Sequence, residues 1–272
     1  MFKIIANSEL ETPGNGYSQA IDISTQTDQN IFRCLFQKGF TVAFIRAYQA
    51  NGNGGADSNC IANIYNAVNE GLGVEIYVEP QPRATKSGTE QFMEVYNFLT
   101  NNNIAVKAIW IKLTTPIIWP NNQVVNVNFI NDFIMCAWRH GLIIGIYTNW
   151  YDWKQIAAGQ LTSNQGQIRL WYWNTLGSGW EAATSPMFDD FRPFAGFSKP
   201  AVKQYVQNIY VCGICTSLNI YVNKIAMKAF LPVNMRRLKM ANATVGMLSI
   251  MTKFSKNKLE NENKKKTDEK SK

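Results

Sequence analysis

Carboxylates, one arginine, amides and aromatic rings recur where the apolar, β-rich runs of this sequence end. Asp22 falls in AIDIS, and Arg46 and Tyr48 close TVAFIRAY. Glu79 ends GVEIYVE, and Lys112, Leu113 and Thr114 end VKAIWIKLT. Tyr147 and Asn149 follow LIIGI, Trp171 and Trp173 alternate in IRLWYWN, and Gln204 closes AVKQ. Aromatic faces stack on sugar rings, while carboxylate, guanidinium and amide groups take hydroxyl and N-acetyl partners. The set suits a neutral, hydroxyl-rich ligand. Trp171 and Trp173 share one strand face and are better binding candidates than Trp138, which lies on the apolar face of a helical pattern. Other chemistries lack their residues. His140, the only histidine, precedes Gly141 at a helix end and is assigned to the free carbonyls there. Cys212-Gly-Ile-Cys215 has no second cysteine pair or histidine pair to complete a zinc site. No phosphate-cradling glycine motif follows a strand, and the NGNGG stretch at 51–55 has the wrong spacing. The reading expects no cofactor and no metal ion.

These residues need a scaffold that gathers strand ends. Strand-like runs begin near residues 18, 41, 73, 106, 142, 168 and 201, and a short one covers 218–222. Helical patterns separate the first five. Cys60, Ile61, Ile64, Tyr65 and Val68 form one stripe, with Asp57 as its expected N-cap and Gly71 at its end. Phe92, Val95, Tyr96 and Leu99 form another, and Phe129, Ile130, Phe133, Ile134 and Ala137 a third. Strand and helix alternating every 30 residues or so point to βαβ units and a parallel sheet. A closed β/α barrel is the first choice and an open doubly wound sheet the second. In such a barrel the C-terminal strand ends build the site.

The chain has 272 residues, of which 46% are hydrophobic and 17% charged, enough apolar content for one large domain. Its net charge of +8 is unevenly placed. Residues 1–223 hold 14 basic and 15 acidic residues, whereas 224–272 hold 13 and 4. The basic character therefore belongs to a tail, and no nucleic-acid partner is expected. The divisions expected are an N-terminal extension over 1–16, the domain over 17–223, and a tail over 224–272 that forms at most a short helix and then cannot bury a core. Five cysteines (34, 60, 136, 212 and 215) are too few for a disulfide scaffold, and their pairing is left open. No 18-residue apolar run is present, so no membrane span is expected. The apolar stretch after Met1 is too short for a signal-peptide core, so a secretion signal is expected to be missing from this chain or to lie upstream of it.

Taken in order, AIDIST, GFTVAFIRAYQ, GLGVEIYVEPQP, AIWIKLTTPIIW, GLIIGIYTNWYDW, LWYW, DFRPF, KQYVQNIYVCGI and LNIYV resemble glycoside hydrolase family 25, the Chalaropsis-type lysozymes, and within it the nematode lysozyme-like branch. The resemblance runs from about residue 17 to 223. It implies a TIM-like flattened barrel of five β/α units plus three strands. It also implies cleavage of the β-1,4 bond between N-acetylmuramic acid and N-acetylglucosamine in bacterial peptidoglycan, in digestion of or defence against bacteria. A monomeric, extracellular or lysosomal protein is expected with it.

Departures from the family pattern bear on chemistry. Asp22 matches the family's first-strand aspartate. Where the family has Asp-x-Glu on the fourth strand, with the glutamate as general acid, this chain has Lys112-Leu113-Thr114. Ser217-Leu218-Asn219 replaces an Asp-x-Asn, so Asn219 alone remains of that pair. Glycoside hydrolysis ordinarily needs two carboxyl groups, and neither lysine nor threonine replaces one near neutral pH. Glu79 is the nearest candidate to partner Asp22. Glu75 lies deeper on the same strand, and Asp152 follows the fifth strand on a loop. Arg46 near either carboxylate would depress its pKa and make it a poor acid. A hydrolase with a relocated acid, a glycan-binding protein without turnover, and a degenerate gene product are the three readings that follow.

Overall fold

Eight strands close into a barrel in the computed structural model, which describes residues 16–158, 167–222, 243–246 and 248. The elements run β1 (Tyr17–Ile23), α1 (Gln29–Gln37), β2 (Val42–Gln49), β3 (Gly55–Ala56), α2 (Cys60–Asn69), β4 (Gly73–Val78), α3 (Gly88–Asn101), β5 (Ala105–Val106), β6 (Ala108–Lys112), α4 (Gln123–Arg139), β7 (Ile143–Thr148), α5 (Trp150–Ala157), β8 (Arg169–Trp173), β9 (Val202–Val211), β10 (Ile214–Val222) and β11 (Thr244–Val245). Around the barrel the order is β1-β10-β9-β8-β7-β6-β4-β2, and β2 pairs back to β1. Every neighbouring pair is parallel except the two made by β10, which is antiparallel to β9 and β1. Five β/α units and three further strands thus complete the ring. The doubly wound alternative is excluded by the β1–β2 closure.

Strand period two sorts the side chains into two apolar layers. One faces the helices and includes Ile21, Ile45, Ile76, Ile111, Ile146 and Leu170. The other fills the barrel with Ala20, Phe44, Tyr77, Trp110, Tyr147 and Trp171. Phe44, Trp110 and Tyr147 crowd around Trp171 with ring centroids 4.2–6.0 Å apart. Gly145 makes room for this stack, because a Cβ there would lie 1.9 Å from the Trp110 ring.

The helices carry local start signals. Asp28 caps α1 through Ile31 N–H, Ser87 and Glu90 form a reciprocal capping box on α3, and Asn149 caps α5. Asp57 does not cap α2; it lies upstream, where its carboxylate takes Asn59 N–H and the Arg46 guanidinium instead. His140 Nδ1 lies 2.9 Å from the Cys136 carbonyl at the end of α4. Cys34 on α1 is disulfide-bonded to Cys212 in the β9–β10 turn, so the C-x-x-C is not a unit. Cys60 and Cys136 are buried free thiols and Cys215 an exposed one. Among the described residues no helix is long and apolar enough to cross a membrane.

At the N-terminal ends of the strands, β4 and β6 pair only through Tyr77–Trp110 and Val78–Ile111. Residues 243–246 enter the gap below. Ala105 and Lys107 N–H donate to the Ala243 and Val245 carbonyls at 2.8 and 2.9 Å, and Gly246 N–H donates to the Val74 carbonyl at 2.9 Å. Val245 is fully buried. Gly246 has φ +87°, and a Cβ there would stand 2.2 Å from Ala108 N, which restricts the position to glycine. Leu248 N–H reaches Glu75 Oε1 at 2.6 Å inside the barrel, beside Trp110 Nε1 on Oε2 at 2.7 Å. Within 224–252, where the sequence suggests at most a helix, these residues supply a strand that completes the floor. Positions 1–15, 159–166, 223–242, 247 and 249–272, with most of the expected extension and tail, lie outside the described residues.

Candidate functional site

Interior parity carries the polar residues to the C-terminal mouth directly above the aromatic stack. Asp22, two residues beyond Ala20 on β1, is partly exposed there. Its Oδ1 accepts from Asn219 Nδ2 at 2.8 Å and Gln204 Nε2 at 2.9 Å. Oδ2 has no protein partner among the described residues. Burial pushes the Asp22 carboxyl up to about 6, against the opposing pull of those two amides and of Lys112. Asn219 is held by Trp171, whose indole N–H donates to Asn219 Oδ1 at 2.8 Å. Trp171 is itself buried beneath the mouth and reaches the site through that bond. Gln204 is held by Tyr147, whose hydroxyl donates to Gln204 Oε1 at 2.6 Å. Gln207 Nε2 donates both to the Tyr147 hydroxyl, at 3.2 Å, and to Gln204 Oε1.

Glu79, just past β4, lies in an ion network. Lys112 Nζ is 2.8 Å from Oε1 and Arg46 Nη1 3.0 Å from Oε2. Arg46 is in turn fixed by Asp57 at 2.8 Å and the Ser24 carbonyl at 2.9 Å. Burial by itself would raise the Glu79 pKa, but Lys112 and Arg46 outweigh it and hold the group below the usual carboxylate value. Lys112 also stands 5.7 Å over the Tyr147 ring.

Asp152 occupies the first turn of α5 rather than a loop and is only 4% exposed. Trp173 Nε1 donates to its Oδ2 at 3.1 Å, and its own N–H donates to Asn149 Oδ1 at 2.8 Å. Burial raises its carboxyl to about 6, while Trp173, Lys112 and the Thr115 backbone pull it down.

The fold therefore brings Asp22, Glu79, Arg46, Tyr147, Trp173, Gln204 and Asn219 to one mouth. Tyr48 is not among them. It faces the helix layer, fully buried, and its hydroxyl donates to Glu94 on α3 at 2.9 Å. Thr114 is buried, with its carbonyl accepting from Trp119 Nε1 at 3.2 Å. Asn149 acts on the site as the cap of α5 that carries Asp152. Sequence reasoning passed over Lys112 as a site cation, although it shares interior parity with Trp110. Gln207 has no such signal. Strict alternation would oppose it to Gln204, but irregular β9–β10 pairing around Leu218 brings both amides to one side.

The site is thus a closed β/α barrel's C-terminal mouth that gathers carboxyl groups, amides and aromatics. The chain belongs to the lysozyme-like family of glycoside hydrolase family 25 type: residues 14–205 match the family model described as Lysozyme-like protein 1. It is 45% identical over 202 residues to Lysozyme-like protein 2 of Caenorhabditis elegans, covering 74% of this chain and 72% of that one. It is 32% identical over 202 residues to Probable GH family 25 lysozyme 2 of Dictyostelium discoideum, covering 74% and 89%. In fold it is similar to the bacterial lysozyme from Streptomyces coelicolor, with a TM-score of 0.57, 21% identity, and coverage of 79% and 95%.

Proposed function

We propose that the protein cleaves the β-1,4 bond between N-acetylmuramic acid and N-acetylglucosamine in bacterial peptidoglycan, using Asp22 at the barrel mouth. The observation carrying this reading is the Asp22 carboxyl, gripped by two amides on one oxygen and raised to about 6 by burial. Family membership supplies the substrate class. Tyr147, Trp173 and the amides of Gln204, Gln207 and Asn219 are the groups proposed to meet sugar rings, hydroxyls and N-acetyl groups. Glu79 acts as a fixed anion that balances Lys112 and Arg46 and holds both cations at the mouth. Its two cations deprive it of a proton to give. Digestion of or defence against bacteria, as an extracellular or lysosomal monomer, is the setting proposed. The test is release of reducing ends from purified peptidoglycan by the wild type and by Asp22→Asn. Equal release by both proteins rejects the reading.

A second reading is favoured by the Lys112–Glu79–Arg46 network and by Thr114 at the end of β6: the mouth binds glycan without cleaving it. It predicts retention on insoluble peptidoglycan at moderate salt with no reducing ends released. Loss of retention on removing only residues 249–272, which spares the floor strand, would assign the binding to the tail.

A further inference from the structure

The mouth holds a carboxyl group beyond Asp22 and Glu79, and its placement is specific. Trp173 on β8 and Gln204 on β9 are register partners, and neighbouring strands lie about 4.8 Å apart. The Trp173 indole N–H is bonded to Asp152 and the Gln204 amide to Asp22. Adjacent side chains of one ladder rung thus each hold one of the two carboxyl groups at the same mouth. Lys112, on β6, acts electrostatically on both. The Thr115 N–H also reaches the Asp152 carboxyl, so Asp152 stands against the end of β6, where Lys112, Leu113 and Thr114 provide no acid.

We infer that Asp152 is the proton donor to the leaving glycosidic oxygen, paired with Asp22 as the base, an assignment that rests on the cleavage reading above. In the step, the C1–O bond breaks with its electron pair on the departing oxygen, which takes the Asp152 proton and leaves as a hydroxyl. A water oxygen bonds to C1 and gives its proton to Asp22. Exchange with solvent then returns a proton to Asp152 and removes one from Asp22. The Trp173 and Thr115 N–H groups stabilise the Asp152 anion left after transfer. The groups facing this pair are Lys112 from β6, Tyr147 from β7, Tyr77 from β4 and Glu79 beyond β4, whose charge Lys112 and Arg46 already balance. Burial keeps both carboxyls near a pKa of about 6, so mildly acidic solution contains the form with Asp152 protonated and Asp22 ionised.

The experiment compares the full chain with its Asp152→Asn and Trp173→Phe variants on two substrates. One is purified peptidoglycan, and the other a dinitrophenyl glycoside of an N-acetylglucosamine oligosaccharide, whose leaving group departs without a proton. Asp152→Asn is expected to lose about a hundredfold or more on peptidoglycan, to keep most of its turnover on the aryl glycoside, and to lose the alkaline limb of its pH profile. Trp173→Phe keeps the packing but removes the indole N–H, so its alkaline limb should move to higher pH. If Asp152→Asn fails to fold, this shift decides the matter, and an unmoved limb overturns the assignment. Equal losses on both substrates, or none on peptidoglycan, also overturn it while leaving wild-type cleavage intact. A wild type inactive on both substrates instead removes the cleavage reading, and the assignment with it.

Discussion

The two ends of the barrel treat a carboxylate in opposite ways. At the floor, Glu75 is 1% exposed, and both its oxygens receive strong donors, Trp110 Nε1 at 2.7 Å and the Leu248 N–H at 2.6 Å. Residues 243–246 seal the gap beneath it with three backbone hydrogen bonds. At the mouth, Asp22 takes two neutral amides on a single oxygen and keeps the other without a protein partner among the described residues. The floor ties its carboxylate into the packing, whereas the mouth leaves one desolvated, incompletely bonded and raised to about 6. Incomplete satisfaction marks the end where chemistry is sited, in keeping with the clustering of perturbed groups at functional sites.

That contrast can be broken or sharpened by experiment, from the largest effect down. Asp22→Asn should lower turnover on peptidoglycan by 10²–10⁴-fold, about 3–5 kcal/mol of barrier, while thermal unfolding shows the variant at least as stable as wild type, since a desolvated charge is gone. A destabilised variant would mean that Asp22 is as structural as Glu75. Gly246→Val should do the reverse. Its side chain would meet the Ala108 backbone, so denaturant unfolding should report a loss of about 3 kcal/mol. Amide exchange at Ala105 and Lys107 should accelerate, with KM on peptidoglycan unchanged. Trp110→Phe removes one donor from Glu75 and should cost about 1–3 kcal/mol in the same measurement.

A further effect is in pH dependence. Asp22 and Asp152 have raised pKa values in the folded state, so between their ordinary value of 3.8 and about 6 the folded protein holds more protons than the unfolded chain. Their contribution is fully present below that window and is lost as pH rises through about 6. Glu79, with a lowered pKa, has the opposite sign, and its contribution is lost as pH falls below its ordinary 4.5. Thermal unfolding from pH 4 to 7 should therefore decline less steeply in an Asp22→Asn, Asp152→Asn double variant than in wild type. Equal slopes would show that the mouth carboxyls are as well satisfied as the floor carboxylate.

Much of this was legible in the sequence. The runs VAFIRAY, VEIYV and IIGIYT read as strands, and period two is the reason Phe44, Tyr77 and Tyr147 lie in one layer of the structure and Ile45, Ile76 and Ile146 in the other. The order of β/α units and of strand ends followed from the same local pattern. Tyr48 was misplaced because alternation from Phe44 and Arg46 would turn it inward, whereas a bulge in the β2–β4 ladder between Arg46 and Tyr48 turns it to the helix layer and Glu94. Asp152 read as a loop residue because its cap, Asn149, also ends a strand-like run.

By itself, then, the chain's sequence determined the barrel class, the interior parity and the set of residues at the strand ends, because these depend on neighbours two to four positions away. Tertiary structure alone decided which of those residues meet. Asp22 finds Gln204 and Asn219 across separations of 182 and 197 residues, Cys34 finds Cys212 across 178, and Leu248 finds Glu75 across 173. It also decided that Glu79 is an anchored anion and Asp22 a desolvated acid. A carboxyl group's pKa is set by the charges and water around it in space, and no local run of residues encodes those.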